Sequence, residues 1–540
     1  METLPIDVML MIIQHVNVRD IFSISNINTF FRTVIKNNCY HIDNTVVVND
    51  SVLFHIEVLK TRLPNLKFNY NLSYYSESFL KTHHNNWYEL NLKRCSIKPL
   101  SFPNIGVLSL NDCNITDEGF LSCNLNQLHT LNLDVCNCIN DVSLICSKFN
   151  NLKVLNLNIC QYIDNLSNLN NVHTLSLTYC NITDDMLAKA DFSKIHTLNL
   201  SNCSKITNKF FDNNTLDNIH TLDLSWCVNI SDISFLRNIH TLNLAHCKKI
   251  NNEALKNAHL DNIRTIDLSY CSDITDVTPL KNVHTLKLTD CYNITDLSPL
   301  KNVKNLHVES CYNINNIGSL KNVHILTLSK CYKITDEILK NANLDNVHTL
   351  DLSDCTKHIS DISFSRNIRT LNLSNCYNIT DESLMNAHLD NIHTLDLSNC
   401  SNITNKSLEY IKNAHTLNLS GCFKITDVSA LKCVHTLNLS GCINITDVSA
   451  LENVHTLNLY KCVSIKDVSA LKNVHTLNLE GCRCITDVSA LKGVHTLNLS
   501  ECGYLKGISA LKNVHTLNLY NCCFDTDVSS WSNVYYSNTN

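Results

Sequence analysis

From Trp87 to near the C-terminus the chain repeats one pattern of apolar and polar positions: Val or Ile, His, Thr, Leu, a polar residue, Leu, two variable residues, Cys, two more, then Ile, Thr and Asp. The stretch from Asn453, NVHTLNLYKCVSIKDVSALK followed by NVHTLNLEGCRCITDVSALK, shows it without a gap. Five and three residues before the cysteine stands Leu, or occasionally Ile or Val, with Thr and Asn at the alternate places. Period-two alternation predicts a short strand with its leucines on one buried face. The Ile that usually stands three places after the cysteine returns to the core, and the Thr-Asp oxygens suit the start of a helical turn. Long copies such as ITDEILKNANLDNV, from Ile334, have room for two helical turns, whereas copies ending ITDVSALKNV have room for about one.

The cysteines keep register from Cys95 and Cys113 through to Cys502 and Cys522, spaced 18 to 24 residues apart; 21 of the 28 cysteines fall in this series. One such coil cannot bury its leucines alone, so successive coils must stack and share a core. The prediction is an α/β solenoid of about 21 repeats over residues 87–540, with a parallel inner sheet and short helical segments on the other side. The cysteines themselves read as small buried thiols at the strand exit. Stacked parallel side chains fit disulfide geometry poorly. The pairs Cys136/Cys138, Cys482/Cys484 and Cys522/Cys523 lack a second pair or a His at zinc-site spacing, so no metal or other cofactor is expected.

Residues 1–40 lack the repeat. Val8, Ile12, Ile13 and Val16 lie at helical spacing; Asp20 can start a second helix with Ile21 and Ile24 inward; Asn26 or Asn28 can cap a third containing Phe30, Phe31, Val34 and Ile35. Three helices this short make a core that is marginal alone, and so much apolar surface invites a partner. The other reading of this segment is a cap for the open end of the array. Residues 41–86 form a junction, with a strand-like NTVVVND, a helical SVLFHIEVLK and a degraded repeat in LPNLKFNYNLSYYS.

Composition narrows the classes. Hydrophobic residues are 44% of the 540, enough for a packed interior, but charged residues are only 17%, so Asn and Ser must supply much of the surface polarity. A formal net charge of -6 disfavours nucleic acid or an anionic membrane as main partner. No apolar run approaches the ~18 residues of a membrane span, and the METLPIDVMLMII start is acidic, so no signal peptide is expected. The expected setting is the cytoplasm, with thiols reduced.

The repeat resembles the leucine-rich repeat, in its cysteine-containing subtype, which implies a horseshoe with a parallel inner sheet. The N-terminal segment resembles the F-box, through Leu4, Pro5, Asp7, Val8, Ile12 or Ile13, Val16, Asp20, Ile21, Ile24, Phe31 and Arg32. Phe31 stands where that family usually has Trp, and Asp7-Val8 replaces the commoner Glu-Leu. The order F-box then cysteine-type repeats is that of substrate receptors of cullin-type ubiquitin ligases. With its bias toward Asn, Ile, Lys and Tyr, the chain is similar to the F-box/leucine-rich-repeat proteins of giant viruses that infect amoebae, or of amoebae themselves. The resemblance implies a Skp-type adaptor and a cullin as partners, adaptor contact through Leu4, Pro5, Ile12, Val16 and Ile21, and a target protein on the repeat surface.

No P-loop, H-E-x-x-H or G-x-S-x-G motif is present, and Cys, His and Asp recur at fixed register as framework. No intrinsic enzymatic activity is therefore expected. Binding must come from residues that differ between coils. The position four before the cysteine is nearly always Asn or Asp and distinguishes little; the positions flanking the cysteine vary. There stand Tyr179, Trp226 and Tyr270, then Tyr292, Tyr312 and Tyr332 in three successive coils, and Tyr377. Aromatic side chains anchor interfaces through large rigid area, although stacked tyrosines can also simply pack over the loops. These residues place the binding surface in the middle third of the array. Two other readings stand beside the ligase receptor: a repeat scaffold that sequesters a host protein, and a metal- or nucleic-acid-binding array, which the acidic charge opposes.

Overall fold

The computed structural model describes residues 45–48, 67–73, 87–94 and, apart from short gaps at 213–215, 319, 356–357, 525, 530 and 532–533, residues 104–536. The helices expected in residues 1–40, with Leu4, Pro5, Ile12, Val16 and Ile21, lie outside the described residues. The chain divides into two compact units, one of residues up to Lys249 with Asn257–Ile263, the other of Ile250–Lys256 with Arg264 onward.

In the first unit β1 (Thr45–Val48), β2 (Lys67–Ser73), β3 (Trp87–Lys93) and β4 (Val107–Asn111) pair in parallel in chain order. Three-residue strands from Thr130–Asn132 to Thr241–Asn243 continue that ladder. In the second unit a ladder of the same kind starts at Thr265–Asp267, runs through Thr516–Leu519 and ends on Val534–Tyr536. Pairing sets like on like: Leu417, Leu437, Leu457, Leu477 and Leu497 form one buried row. The leucine solenoid is thus built as its alternation dictates. Among the described residues no helix is long and apolar enough to cross a membrane.

The outer segments follow the length of each coil. In long coils Thr caps a helix: Thr335 accepts from the Ile338 N–H before Asp336–Asn341, and Thr380 forms a capping box with Ser383 before Asp381–Met385. In 20-residue coils the segment shrinks to a single 3-10 turn, such as Ser429–Leu431 and Ser449–Leu451. There the preceding Asp takes over the capping, with Asp427 and Asp447 accepting from the N–H of Ser429 and Ser449.

Each repeat cysteine ties its coil to the one before. The Cys160 thiol donates to the Leu133 carbonyl at 3.1 Å, Cys180 to Leu157 at 3.0 Å, and Cys442, Cys462 and Cys482 to Leu419, Leu439 and Leu459 at 3.2, 3.0 and 3.0 Å. Leu157 O also takes the N–H of Cys160 in its own coil, so both lone pairs are used. A small donor in an apolar pocket is what this position needs. Burial raises the thiols, that of Cys160 to about 12, so they are inert at neutral pH. Among the described residues the exposed thiols are Cys138, Cys433, Cys484 and Cys523. In the native protein these four are expected to react with a thiol reagent in minutes, read by peptide mapping. Equally fast labelling of Cys442 or Cys462 would contradict this arrangement.

The residue before the cysteine is left-handed in every coil, from Arg94 to Asn521. The turn lets the chain leave the sheet and aim the cysteine inward. Its N–H stays satisfied, as when Tyr179 donates to Ser201 O and Gly421 to Ser440 O. Gly, Asn and Asp adopt this conformation cheaply, but Val135 (φ 65°), Ile159 (φ 64°) and Trp226 (φ 63°) adopt it at a cost of roughly 1–2 kcal/mol each.

Asparagine accounts for the low charge of the surface by doing work usually left to backbone. Two places after the cysteine, Asn313, Asn402 and Asn444 donate to the carbonyls of Tyr292, Tyr377 and Phe423 in the preceding coil. Before the strand, Asn322, Asn346 and Asn367 do the same to Lys301, Lys321 and Asp345.

Candidate protein-binding surface

A third asparagine row lies on the strands, four residues before each cysteine. The side-chain oxygen there accepts the backbone N–H two residues on, bracing the exit of the strand. Asp267 holds Ser269 at 3.0 Å, Asp351 holds Ser353 at 2.8 Å, and Asn438, Asn458, Asn478, Asn498 and Asn518 repeat the contact at 3.0–3.1 Å. In the first unit Ser109 and Ser176 stand in this row and Asn156 leaves the Asn158 N–H to Asp134; in the second unit three consecutive coils depart from it, with Lys287, His307 and Thr327. The Thr289 N–H turns to the Ser269 hydroxyl instead, and Glu309 and Ser329 have no acceptor of this kind in their own coil. A brace of this kind contributes about 0.5–1.5 kcal/mol. Three adjoining coils that give it up, with the loss made good at Thr289 by the Ser269 hydroxyl, mark a candidate place for something other than stability.

Those coils carry the most distinctive chemistry on the sheet. Lys287 Nζ lies 3.9 Å from Asp267, and Lys330 Nζ lies 3.0 Å from Glu309. His307 Nδ1 is 3.3 Å from the Thr327 hydroxyl. Burial lowers the His307 pKa, with Lys287 adding to the effect and Asp267 opposing it, so the ring is neutral at pH 7 and can accept or donate. Asp290, by its charge and a hydrogen bond, raises the Tyr270 phenol. Beneath them the thiols of Cys291 and Cys331 are pushed up to about 12 by burial and offer no nucleophile. Among the described residues no cluster of three or more His, Cys, Asp or Glu is arranged to hold a metal.

The aromatic residues singled out from the sequence are all exposed. Tyr179, Trp226 and Tyr270 sit on the left-handed turn; Tyr292, Tyr312, Tyr332 and Tyr377 sit just past the cysteine. Tyr312 and Tyr332 stack with centroids 5.2 Å apart and planes 7° from parallel. Trp226, in the first unit, stacks instead on His246 at 3.7 Å. Tyr270, Tyr292, Tyr312 and Tyr332 belong to the coils in and beside the unbraced three. Lys287 and His307 escape the sequence reading because their row is nearly uniform, and its exceptions are the signal; Glu309 and Lys330 stand at the variable places two and one before the cysteine, where that reading follows the aromatic residues alone.

This surface is expected to carry target binding. The triple change Tyr292→Ala, Tyr312→Ala, Tyr332→Ala should weaken a captured target by more than about 1 kcal/mol in titration. Ile443, Val463 and Arg483, at the same place in late coils, should matter less. A larger effect from the late set would move the surface elsewhere.

Comparison with known proteins bears on both ends of the chain. Residues 1–43 match the F-box domain. No curated protein matches the sequence. Among solved structures, the TLR13–ssRNA13 complex is similar at 20% identity and a TM-score of 0.57, over 88% of this chain and 78% of that one. An internalin from Listeria monocytogenes is 20% identical with a TM-score of 0.32, over 67% and 93% of the two chains. The mouse RP105/MD-1 complex is 12% identical with a TM-score of 0.40, over 84% and 92%. At these identities the TLR13 likeness carries the leucine-rich-repeat fold and nothing finer.

Proposed function

We propose that this chain, an F-box at residues 1–43 joined to a leucine-rich-repeat solenoid, is the substrate-recognition subunit of a cullin-type ubiquitin ligase. The observation that carries the reading is the pairing of an adaptor-binding module with a long repeat surface that varies at chosen coils. In this reading Leu4, Pro5, Ile12, Val16 and Ile21 serve a Skp-type adaptor, which brings the cullin. The target lies on the coils from Tyr270 to Tyr332, with Tyr377 at the margin and Trp226 as an anchor on the first unit. The protein forms no thioester with ubiquitin; it holds a target where transfer occurs. The reading places it in the cytosol of the cell whose ligase it joins, the host cell if the gene is viral.

The test is co-purification. Full-length protein expressed in amoebal cells is expected to recover adaptor and cullin. Deleting residues 1–40 should abolish both while the repeats keep their melting behaviour, since each coil is held by its neighbours. Leu4→Ala with Pro5→Ala should weaken capture without unfolding. Recovery of a target but no adaptor would replace this reading with that of a sequestering scaffold.

A further inference from the structure

Seven residues before the cysteine, every coil from His129 to His515 carries a basic side chain. Where histidine is absent, at Lys153, Arg264, Lys304 and Arg369, the replacement is Lys or Arg each time. The first two coils have Tyr88 and Gly106 there, so four of six replacements are basic; Lys and Arg together make up 43 of 540 residues, under a tenth, and from His129 onward positive charge is the property retained. Ring shape is not retained. Nor, at Lys153 and Lys304, is the contact most of these rings make, in which Nδ1 meets the hydroxyl of the following Thr at 3.1–3.4 Å, as at His284, His348 and His415; Val154 and Asn305 stand there in place of Thr.

Protonating the row works against stability. In the second unit the rings from His393 to His515 stack with centroids 4.4–4.7 Å apart and planes 8–19° from parallel. Like charges held in register on neighbouring strands repel. Parallel rings send their lone pairs out side by side, so they do not converge on one metal ion. The ion pairs among the described residues use none of the row from Lys153 to His515. Three residues upstream, on the same edge, nine of the thirteen coils from Arg264 to His515 place a second Lys or Arg, with Asp261, Asp345, Asp390 and Glu452 as the exceptions. A chain of net charge -6 has thus gathered positive charge along one edge, where Lys412 of the upstream row is paired with Glu409 at 2.8 Å.

We propose that this edge of the second unit, the row from Arg264 to His515, binds an acidic polypeptide segment, a stretch rich in Asp and Glu. Interspersed Asp261, Asp345, Asp390 and Glu452 disfavour an unbroken phosphate backbone, whereas a peptide can set neutral residues against them. Neither row contains Tyr, Trp or Phe on which bases would stack. At neutral pH Arg264, Lys304 and Arg369 carry the row's fixed charge, with Arg forks matched to carboxylates. His324, His435 and His495, lowered by desolvation and neighbouring charge, join them only as pH falls well below the ordinary imidazole value. The charged groups bearing on those rings are Lys304 on His324, the neighbouring imidazoles on His435 and His495, and the upstream Lys, Asp and Glu already named. The inference rests on the array and is independent of the adaptor.

Fluorescence anisotropy of full-length protein with a labelled polyaspartate of about 20 residues, at low salt, tests it. Saturable binding is expected, at least about 10-fold tighter near pH 5 than near pH 7.5. The variant Arg264→Gln, Lys304→Gln, Arg369→Gln should lose at least about 10-fold near pH 7.5 and melt no lower than the parent, because it removes like-charge repulsion. Absence of saturable binding, unchanged affinity in the variant, a lower melting point in the variant, or tighter binding of an oligothymidylate of equal charge would each overturn the proposal.

Discussion

Restoring asparagine at Lys287, His307 and Thr327 is expected to make the protein more stable and a poorer binder. Each replacement returns an acceptor to a strand exit whose neighbours, Asp267 and Asp351, are braced at 3.0 and 2.8 Å. The gain is about 0.5–1.5 kcal/mol per site, less than additive because the sites adjoin. The same change removes the ammonium of Lys287 and the neutral imidazole of His307. Affinity for a target recovered with the full-length chain should fall more than about 10-fold, the range of an interface hot spot. Denaturant melts and titration on the same three-site variant decide the matter. A variant that gains stability and binds as before would show that these coils are a lapse in the repeat. One that loses stability would show that the brace is not what the asparagines supply.

Acid is expected to loosen the array in two stages. His173, His324, His435 and His495 have lowered pKa values, first through desolvation and then through neighbouring Lys or imidazole charge. A lowered base pKa means that the unfolded chain binds more protons in the window between the two values. Stability is therefore full above the unfolded value near 6.5 and falls as pH drops below it. The capping carboxylates behave differently. Asp427, Asp447, Asp467 and Asp487 are lowered by the Ser N–H they accept, and Asp361 is held at about 2 by Lys340 and Ser363. Their contribution is intact above about pH 4 and is lost below it as they protonate. Melting temperature should decline between about pH 7 and 5, level off, and decline again below about 4. Changing His173, His324, His435 and His495 to Gln should flatten the first decline alone. A melting temperature unchanged from about pH 7.5 to 5.5 would refute the first stage.

The strands, the inward cysteines and the Thr and Asp caps could be read from sequence because each follows from a local period or a fixed offset. The left-handed turn was signalled by Gly421, Gly441, Gly481, Asn202, Asn375 and Asn399 before their cysteines, but Val135, Ile159 and Trp226 at the same place hid it. A β-branched residue there is intelligible only once the inter-coil hydrogen bond that holds it is visible. The asparagine clamps were illegible for a related reason: the carbonyl that Asn313 reaches belongs to another coil. Exposure of the tyrosines followed from their offset, whereas the unbraced row needed the hydrogen-bond pattern of its neighbours before Lys287, His307 and Thr327 stood out.

In the late coils every bond between neighbours, thiol to leucine carbonyl, amide to turn carbonyl and strand to strand, joins the same offset on each side. A block such as 435–454 therefore meets the partners it would meet anywhere in that stretch. Excising it or copying it leaves no donor stranded and no leucine uncovered. The number of late coils is thus a quantity that unequal recombination between near-identical gene segments can change in single steps, each product folding as well as its parent. Such a protein can lengthen or shorten its late stretch without redesigning a single contact.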